Sequence, residues 1–293
     1  MNNYLQTIMS GIKRRSWMTD MDAIKEYASV AAEANSKATQ NIAFDDFYTP
    51  RKPATMDENG IAYIHITGML LDEAPPIVEK LGIGTTYGTL IGELEAATEA
   101  DAKGILLIIN SPGGTVSGCA EATSTISNCG IPVMGYCTGM ACSAAYKLVS
   151  QSTNIIASPS AQVGNIGTIL SWVDDSQFWE SMGIEFKTMT NEGADYKSTF
   201  HQEPNAQQLA FLQDELNAMG EDFRNAVTTG RANAGAMLDD EVFKAGWYYG
   251  QSAENLGLID GIGTLEDARL ELMEMASYPI DIQDESDDES IAL

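Results

Sequence analysis

The sequence contains no run of apolar residues close to the roughly 18 that a membrane-spanning helix requires. Its opening residues, MNNYLQTIMSGIKRRSWMTD, also lack the positively charged start and apolar core of a secretory signal. We therefore expect neither a membrane anchor nor a signal peptide. The chain has 293 residues, of which 44% are apolar, so it is long enough for one large α/β domain with additions or for two small domains.

Basic residues are scarce, with 16 lysines and arginines against 42 aspartates and glutamates and a formal net charge of -26. They cluster only at Lys13-Arg14-Arg15 and at Arg51-Lys52. Because binding to phosphate groups needs basic patches, this balance argues against a nucleic acid as a partner. The acidity is typical of a solvated surface, and a basic substrate is the alternative explanation.

Cysteine and histidine are also rare. The chain has four cysteines, at Cys119, Cys129, Cys137 and Cys142. They show no C-x-x-C spacing and lie among apolar residues, so we interpret them as reduced thiols and expect no disulfide, no metal site and no cofactor. The two histidines are His65, in an apolar stretch that predicts a strand, and His201.

The most informative stretch runs from Gly104 to Leu170. It opens with an unbroken apolar run, Ile105 to Ile109, which is typical of a parallel-sheet strand covered on both faces. Pro112 and the pair Gly113-Gly114 end this strand, because proline cannot continue a sheet and glycines allow a tight bend. A helix over 116–128 and a second strand over 131–137 are predicted to follow.

The second strand leads to Thr138-Gly139-Met140-Ala141-Cys142-Ser143-Ala144-Ala145-Tyr146, where small residues surround a serine at a strand-to-helix junction. We expect Ser143 to have an exposed hydroxyl with the positive end of a helix dipole behind it. Gly114 and Ala144 are expected to present backbone N–H groups as an oxyanion hole, since the carboxyl ends of parallel strands meet at one edge of a sheet. The alternative is a pair of ordinary turns without chemistry.

Three segments in order, NSPGGTVSG, GMACSAAY and SPSAQVGNIGT, resemble the signal peptide peptidase A family of serine proteases. The resemblance extends from about Gly60 to Ala268. It implies an α/β fold, namely the ClpP/crotonase-like superhelical core of repeated β-β-α units with a mostly parallel sheet. It also implies a Ser–Lys dyad, in which the family's serine corresponds to Ser143 and its lysine, in a later G-x-Y-K-like motif, corresponds to Lys197.

The base that activates the serine has competing candidates. A serine becomes a good nucleophile only when a base takes its proton, and an exposed lysine, with a pKa of about 10.4, needs burial to become a neutral base near pH 7. Lys147 is expected to point away from Ser143, four residues earlier on the same helix. A Ser-His-Asp triad is disfavoured because this chain has no histidine at the position where ClpP-type proteases have one. His201, four residues after Lys197, leaves such a triad as an alternative.

One residue departs from the family pattern. Relatives commonly have V-G-S-I-G where this chain has Val163-Gly164-Asn165-Ile166-Gly167. The family's serine is expected to hydrogen-bond the catalytic lysine. Asn165 carries an amide that can do the same, so we predict that it tunes Lys197.

Three parts are predicted along the chain. Residues 1–58 form an N-terminal helical leader and linker with a helix over 20–38, residues 59–276 form the peptidase domain, and residues 277–293 form an acidic tail that we expect to be disordered. Within the domain, residues 71–86 are predicted as a loop region, 168–173 and 185–189 as strands, and 205–231 as a long helix with leucines at helical spacing.

The resemblance makes a serine endopeptidase the leading hypothesis for function. Phage members of the family are capsid-maturation proteases, so scaffold and capsid proteins are the expected polypeptide substrates, and a homo-oligomer in the host cytoplasm or the procapsid is the expected form. The alternatives are a cytoplasmic signal-peptide or peptide hydrolase of the same family, a crotonase-like acyl-CoA enzyme, and an inactive assembly scaffold. Whether Lys197 serves its own Ser143 or that of a neighbouring copy is left open.

Overall fold

A computed structural model of the chain describes residues 16–19, 25, 29, 49–172, 174, 176–197 and 204–277. Its strands are β1 (Ser16–Met18), β2 (Thr55–Met56), β3 (Ile61–Thr67), β4 (Met69–Leu71), β5 (Gly84–Thr86), β6 (Gly104–Ser111), β7 (Gly114–Thr115), β8 (Val133–Cys142), β9 (Asn154–Ala157), β10 (Gln162–Gly164), β11 (Ile169–Leu170), β12 (Trp247–Tyr249) and β13 (Gly261–Ile262). Its helices are α1 (Ile77–Lys80), α2 (Tyr87–Glu99), α3 (Cys119–Ser127), α4 (Ala144–Val149), α5 (Ser176–Ser181), α6 (Ala206–Asn233), α7 (Gly250–Asn255) and α8 (Leu265–Ser277), and Asp240–Lys244 forms a 3-10 turn.

The larger sheet has the strand order β12-β10-β8-β6-β3-β2, and β9 and β13 continue from β8. Its central strands β3, β6 and β8 are parallel, so the predicted α/β fold with a mostly parallel sheet is confirmed. In β6, Ile105 and Leu107 face a core built with α2, α3 and α4, whereas Leu106 faces α8. Both faces of β6 are therefore covered, which explains its continuous apolar sequence.

The smaller sheet has the order β11-β1-β7-β4-β5 and lies where β3 and β6 of the larger sheet end. The chain passes from β3 into β4 through Gly68, and from β6 into β7 through Pro112-Gly113. A side chain on Gly68 would lie 2.4 Å from the carbonyl oxygen of Ile83, so the first crossing needs glycine. Each crossing is followed by a helix, which gives the repeated β-β-α units that the resemblance implies.

Several local predictions differ from the structure. Residues 185–189 are not a strand: they are exposed, with Met189 at 96%, and no neighbouring strand pairs with them in the described part of the chain. The predicted loop at 71–86 contains α1 and β5, and among the described residues of the strand predicted at 168–173 only those of β11 are a strand. Of the helix predicted at 20–38, Lys25 and Ser29 are helical, and the other positions, like the tail 278–293, lie outside the described residues.

A buried ion pair fastens α6 to the larger sheet. Arg231 of α6 is fully buried, and its guanidinium donates to both carboxylate oxygens of Asp260, at 3.0 and 2.7 Å, and to the carbonyl of Gly257. Asp260 also accepts the N–H of Ile155 in β9 at 2.8 Å. One carboxylate thus links the long helix to strand β9 of the sheet.

Asp260→Ala is expected to lower the free energy of unfolding by about 3–5 kcal/mol, because the mutation leaves the charge of Arg231 buried without its partner. Urea unfolding followed by circular dichroism measures the change. Glu266→Ala, which removes one partner of the exposed Glu266–Arg269 pair, is the control and should alter stability little. Equal stabilities of the two variants would contradict this role of Asp260.

Candidate active site

Ser143 lies at the junction of β8 and α4, as the sequence predicts. It has φ of 55° and ψ of -120°, a left-handed backbone conformation that is uncommon for a residue with a side chain. Its N–H donates to the carbonyl of Gly164 at 2.8 Å, which holds this conformation in place. Strained backbone at a strand-to-helix junction is a common feature of positions where a nucleophile is presented.

The expectation that the hydroxyl of Ser143 is exposed is wrong, because the residue is only 1% exposed. Its Oγ donates a weak hydrogen bond to the carbonyl of Gly167 at 3.4 Å. The sequence argument considered only the junction itself and not the segments that pack over it. Those segments are the turn before β7 and, beyond it, strand β1.

The turn Gly113-Gly114 packs directly on Ser143. Gly113 has φ of 107°, and a Cβ built on it would lie 2.9 Å from Cβ of Ser143 and 3.0 Å from the nitrogen of Ala144. A Cβ on Gly114 would lie 1.8 Å from the carbonyl oxygen of Leu70. Both positions therefore need glycine, because the backbone of this turn packs closely against its neighbours, which for Gly113 include the serine and the first N–H of α4.

The two predicted oxyanion-hole residues belong to different elements. Gly114 begins β7, where it pairs with Leu70 of β4, and Ala144 begins α4, where the first N–H groups of a helix have no intrahelical partner. The sequence analysis named Gly114, but the residue in closest contact with Ser143 is Gly113. The sequence shows two successive glycines after Pro112, but only the contacts in the structure identify Gly113 as the one against Ser143.

Asn165 lies in the turn that forms the other wall of the site. It has φ of 54°, which asparagine tolerates better than most residues, and its N–H donates to the carbonyl of Gly246 at 2.7 Å. Its neighbours Gly164 and Gly167 supply the two carbonyls that accept hydrogen bonds from Ser143. The structure thus brings Asn165 next to the turn of Ser143, where its predicted role remains a prediction.

The structure does not bring Lys197 to Ser143. Lys197 is exposed and ends a stretch, residues 184–197, that contains neither helix nor strand. Its carbonyl accepts a hydrogen bond from Nε2 of Gln208 at 3.2 Å, and the adjacent Tyr196 stacks on Phe211, with 4.7 Å between the ring centroids. Lys197 is therefore held at the N-terminal part of α6.

This position is distant from the serine along α6. The part of α6 near the serine is marked by Leu216, two turns after Gln208. The carbonyl of Leu216 accepts a hydrogen bond from the hydroxyl of Thr168 at 3.2 Å. Thr168 directly follows Gly167, whose carbonyl accepts the hydrogen bond of Ser143. With a rise of 1.5 Å per residue, Gln208 lies about 12 Å along the axis from Leu216. A dyad within one chain would need this stretch to move.

The comparisons with known proteins agree with the geometry of this site. Residues 126–278, more than half of the chain, match the model of peptidase family S49. The chain belongs to peptidase family S49. Residues 63–163 of this S49 chain also match the Clp protease model, which covers β3 to β10 and both glycine-flanked turns.

Three relatives of this S49 chain come from a phage and from bacteria. It is 28% identical over 256 residues to capsid assembly protease C of Escherichia phage lambda, covering 84% of this chain and 56% of that protein. It is 29% identical over 169 residues to a putative signal peptide peptidase SppA of Enterococcus faecium, covering 57% of this chain and 49% of that protein. It is 28% identical over 250 residues to protease 4 of Salmonella typhi, covering 82% of this chain and 39% of that protein. The chain thus spans about two fifths to three fifths of these relatives.

Lys147 is a structural residue in this S49 chain. It is 3% exposed, and its amine pairs with Asp222 of α6 at 2.5 Å and lies 5.9 Å from the ring centre of Phe223. It therefore points away from Ser143, as the helical spacing predicts. His65 is half-buried in β3, where burial lowers its pKa, and His201 lies outside the described residues.

The cysteines Cys119, Cys137 and Cys142 are buried. Burial raises the pKa of the Cys137 thiol to about 12, with the neighbouring Cys142 adding to the shift, and burial also raises the pKa of Cys119. In the described part of the chain no group of histidines, cysteines and carboxylates is arranged to hold a metal ion, and no helix is long and apolar enough to span a membrane.

Cys137 is expected to resist iodoacetamide at mildly alkaline pH in the folded protein, because the thiolate is the reactive species and burial keeps the thiol protonated. In urea the same thiol should be alkylated rapidly. Mass spectrometry of the tryptic peptides measures both. Rapid alkylation of Cys137 in the folded protein would contradict the burial seen here.

Proposed function

We propose that the chain is a serine endopeptidase that cleaves polypeptides through an acyl-enzyme intermediate on Ser143. The observation that carries this proposal is the junction of β8 and α4. There Ser143 has a left-handed backbone, and the Gly113-Gly114 turn lies against its Cβ and the N–H of Ala144. Membership of peptidase family S49 supports the same reading.

The proposed reaction has two stages. Ser143 Oγ attacks the carbonyl carbon of the substrate, and the negative charge that develops on the carbonyl oxygen is stabilised by the N–H groups of Gly114 and Ala144. The peptide C–N bond then breaks, and the proton of the serine passes through the base to the leaving amine. Water hydrolyses the resulting ester and restores Ser143. Neither stage calls for a cofactor or a metal ion.

Lys197 is the proposed base, and it acts on Ser143 of a neighbouring copy. Two features support this arrangement: Lys197 is exposed, and it is held beside Gln208, away from its own serine. The stretch 184–197 therefore has the position of an arm that reaches another subunit of a homo-oligomer. Asn165, in the wall of the site, is proposed to hydrogen-bond the lysine when the arm docks.

The proposed substrates are phage scaffold and capsid proteins, cut during head maturation in the procapsid or the host cytoplasm. This part rests on the phage relative, whose similarity covers most of this chain. A signal-peptide hydrolase of the same family is the second candidate, supported by the bacterial relatives. Cleavage assays with purified scaffold and capsid proteins, against signal-peptide substrates, separate the two.

Fluorophosphonate labelling tests the proposed chemistry. The full chain should take one label, and tandem mass spectrometry should locate it on Ser143. Ser143→Ala should take none. A label on another residue would contradict the assignment, and no label on a folded chain whose site is open to the reagent would favour an acyl-CoA enzyme or an inactive scaffold.

The activity should have an alkaline optimum, because a lysine base works only after it loses its proton. In a plot of activity against pH, the rise in activity, or rising limb, should therefore be centred above about pH 6.5, the ordinary pKa of histidine. Asn165→Ser should keep activity and move the limb to lower pH, and His201→Ala should leave the profile unchanged. Profiles of kcat/KM against pH measure these effects. A limb near neutral pH that disappears in His201→Ala would contradict the lysine mechanism.

A further inference from the structure

Strand β1 fills a slot in the smaller sheet. It lies between β7 and β11 and is antiparallel to both, with Trp17 opposite Thr115 and Ile169, and Met18 opposite Gly114. These two neighbours are the segments that border Ser143: β7 begins at the glycine turn, and β11 follows Gly167. An extended peptide that adds a strand to a sheet edge is a common mode of polypeptide binding, and here the added strand pairs on both sides.

The side chains of β1 occupy apolar pockets. Trp17 is 2% exposed and packs with Met69, Leu71 and Val78. Met18 is 1% exposed and belongs to the main core, together with Leu70. Trp17 and Met18, two successive large apolar side chains, thus fill adjacent pockets just before Thr19.

The bond that faces the serine is the one between Met18 and Thr19. The carbonyl oxygen of Met18 lies 2.2 Å from the place that a Cβ of Gly113 would take, the same place that adjoins Ser143 Cβ and the nitrogen of Ala144. Beyond it, the hydroxyl of Thr19 donates to the carbonyl of Pro112 at 2.9 Å. Gly113 therefore brings the carbonyl of Met18 close to the proposed nucleophile and to the first N–H of α4, which belongs to one of the proposed oxyanion-hole residues.

We infer that the segment Ser16–Thr19 is a substrate of this chain's own active site, bound in the groove for cleavage of the Met18–Thr19 peptide bond. This inference rests on the proposed function. In the step, Ser143 Oγ bonds to the carbonyl carbon of Met18, the bond to the nitrogen of Thr19 breaks, and the proton of Ser143 ends on the new amino group of Thr19. One water then hydrolyses the ester, which releases residues 1–18 with a carboxyl group on Met18.

The uncut segment keeps the site closed to other substrates. Ser143 is buried, the Gly113 turn that packs on it also lies against Met18 of β1, and no second strand fits between β7 and β11 while β1 is there. Self-cleavage is thus the event that opens the groove. The pockets of Trp17 and Met18 then select substrates with large apolar residues at the two positions before the cleaved bond.

N-terminal sequencing and intact mass of the purified full chain test this inference. Wild type should convert to a chain that begins at Thr19, and Ser143→Ala should keep residues 1–18. Because β1 lies in the groove of its own chain, a mass-tagged Ser143→Ala chain mixed with wild type should also stay uncut. Cleavage of the tagged chain, or cleavage at another bond, would overturn the inference.

Two substitutions of Trp17 provide matched variants. Trp17→Phe keeps an aromatic ring in the pocket and should still be cut. Trp17→Asp brings a carboxylate into an apolar pocket, so β1 should leave the groove. The variant should then stay uncut, and fluorophosphonate should reach and label Ser143. Trp17→Ala, which shortens the side chain without adding charge, serves if Trp17→Asp fails to fold.

These variants separate two kinds of failure. If Trp17→Asp or Trp17→Ala is labelled on Ser143 but wild type keeps residues 1–18, self-cleavage is overturned and the proposed peptidase stands. If the folded variant takes no label and wild type stays intact, the proposed function fails and the inference fails with it.

Discussion

Ser143→Ala is expected to abolish peptide cleavage while the protein stays folded. In a serine peptidase, loss of the nucleophile lowers kcat by about 10⁶-fold, because the acyl-enzyme can no longer form. The substitution removes only Oγ, whose hydrogen bond to Gly167 is long at 3.4 Å, and it keeps the Cβ that packs against Gly113. Stability should therefore change little.

A matched control is available on a nearby turn. Ser152 is 2% exposed, and its Oγ is buried without a hydrogen-bond partner in the described structure. Ser152→Ala removes the same atom from a buried serine outside the site, so it should keep full activity. Peptide cleavage and urea unfolding of both variants make the comparison, and cleavage by a pure Ser143→Ala preparation would contradict the assignment of the nucleophile.

Lys197→Ala is expected to be nearly as damaging as Ser143→Ala, because the two residues act as one unit and their losses are not additive. The side chain of Lys197 is exposed, so its removal should leave the unfolding curve unchanged. Lys187→Ala, in the same exposed stretch, is the matched control and should keep activity. Lys147→Met should also keep the chemistry, since its amine is paired with Asp222. An active Lys197→Ala enzyme would show that another group is the base.

Mixing the two inactive variants tests where the dyad is completed. If Lys197 acts on a neighbouring subunit, some sites in a mixture of Ser143→Ala and Lys197→Ala chains combine an intact serine with an intact lysine. Activity should then return after the variants are unfolded and refolded together. A mixture that stays inactive although both chains assemble would place the dyad within one chain.

The sequence predicts those parts of the site that depend on local order. Ile105–Ile109 specify β6 because a strand covered on both faces needs apolar residues at every position, and the glycines and small residues specify the two turns. β1 was not predicted: Ser16–Met18 is too short for a periodic signal, and it is a strand because β7 and β11, distant in the chain, pair with it. The burial of Ser143 was missed for a similar reason, because the Gly113 turn that packs on the serine comes from a different part of the chain.

Two other differences have the same kind of physical origin. Residues 185–189 include Phe186 and Met189 among polar side chains, but strand formation also needs a partner edge, and the described structure offers none there. The motif around Lys197 identifies the lysine but carries no information about which serine it meets. Gly113 and Gly114 are both required, and only their three-dimensional contacts show that Gly113 is the one against Ser143.

The central claim is that Ser143 becomes acylated during peptide cleavage, and rapid acid quench of the reaction tests it most directly. Chain that has lost residues 1–18 is mixed with a peptide substrate carrying large apolar residues before the cleaved bond, and the quenched protein is analysed by intact mass and tandem mass spectrometry. The account predicts a transient mass increase equal to the N-terminal part of the peptide, located on Ser143 and absent from Ser143→Ala. Cleavage without any adduct, or an adduct on a different residue, would contradict it.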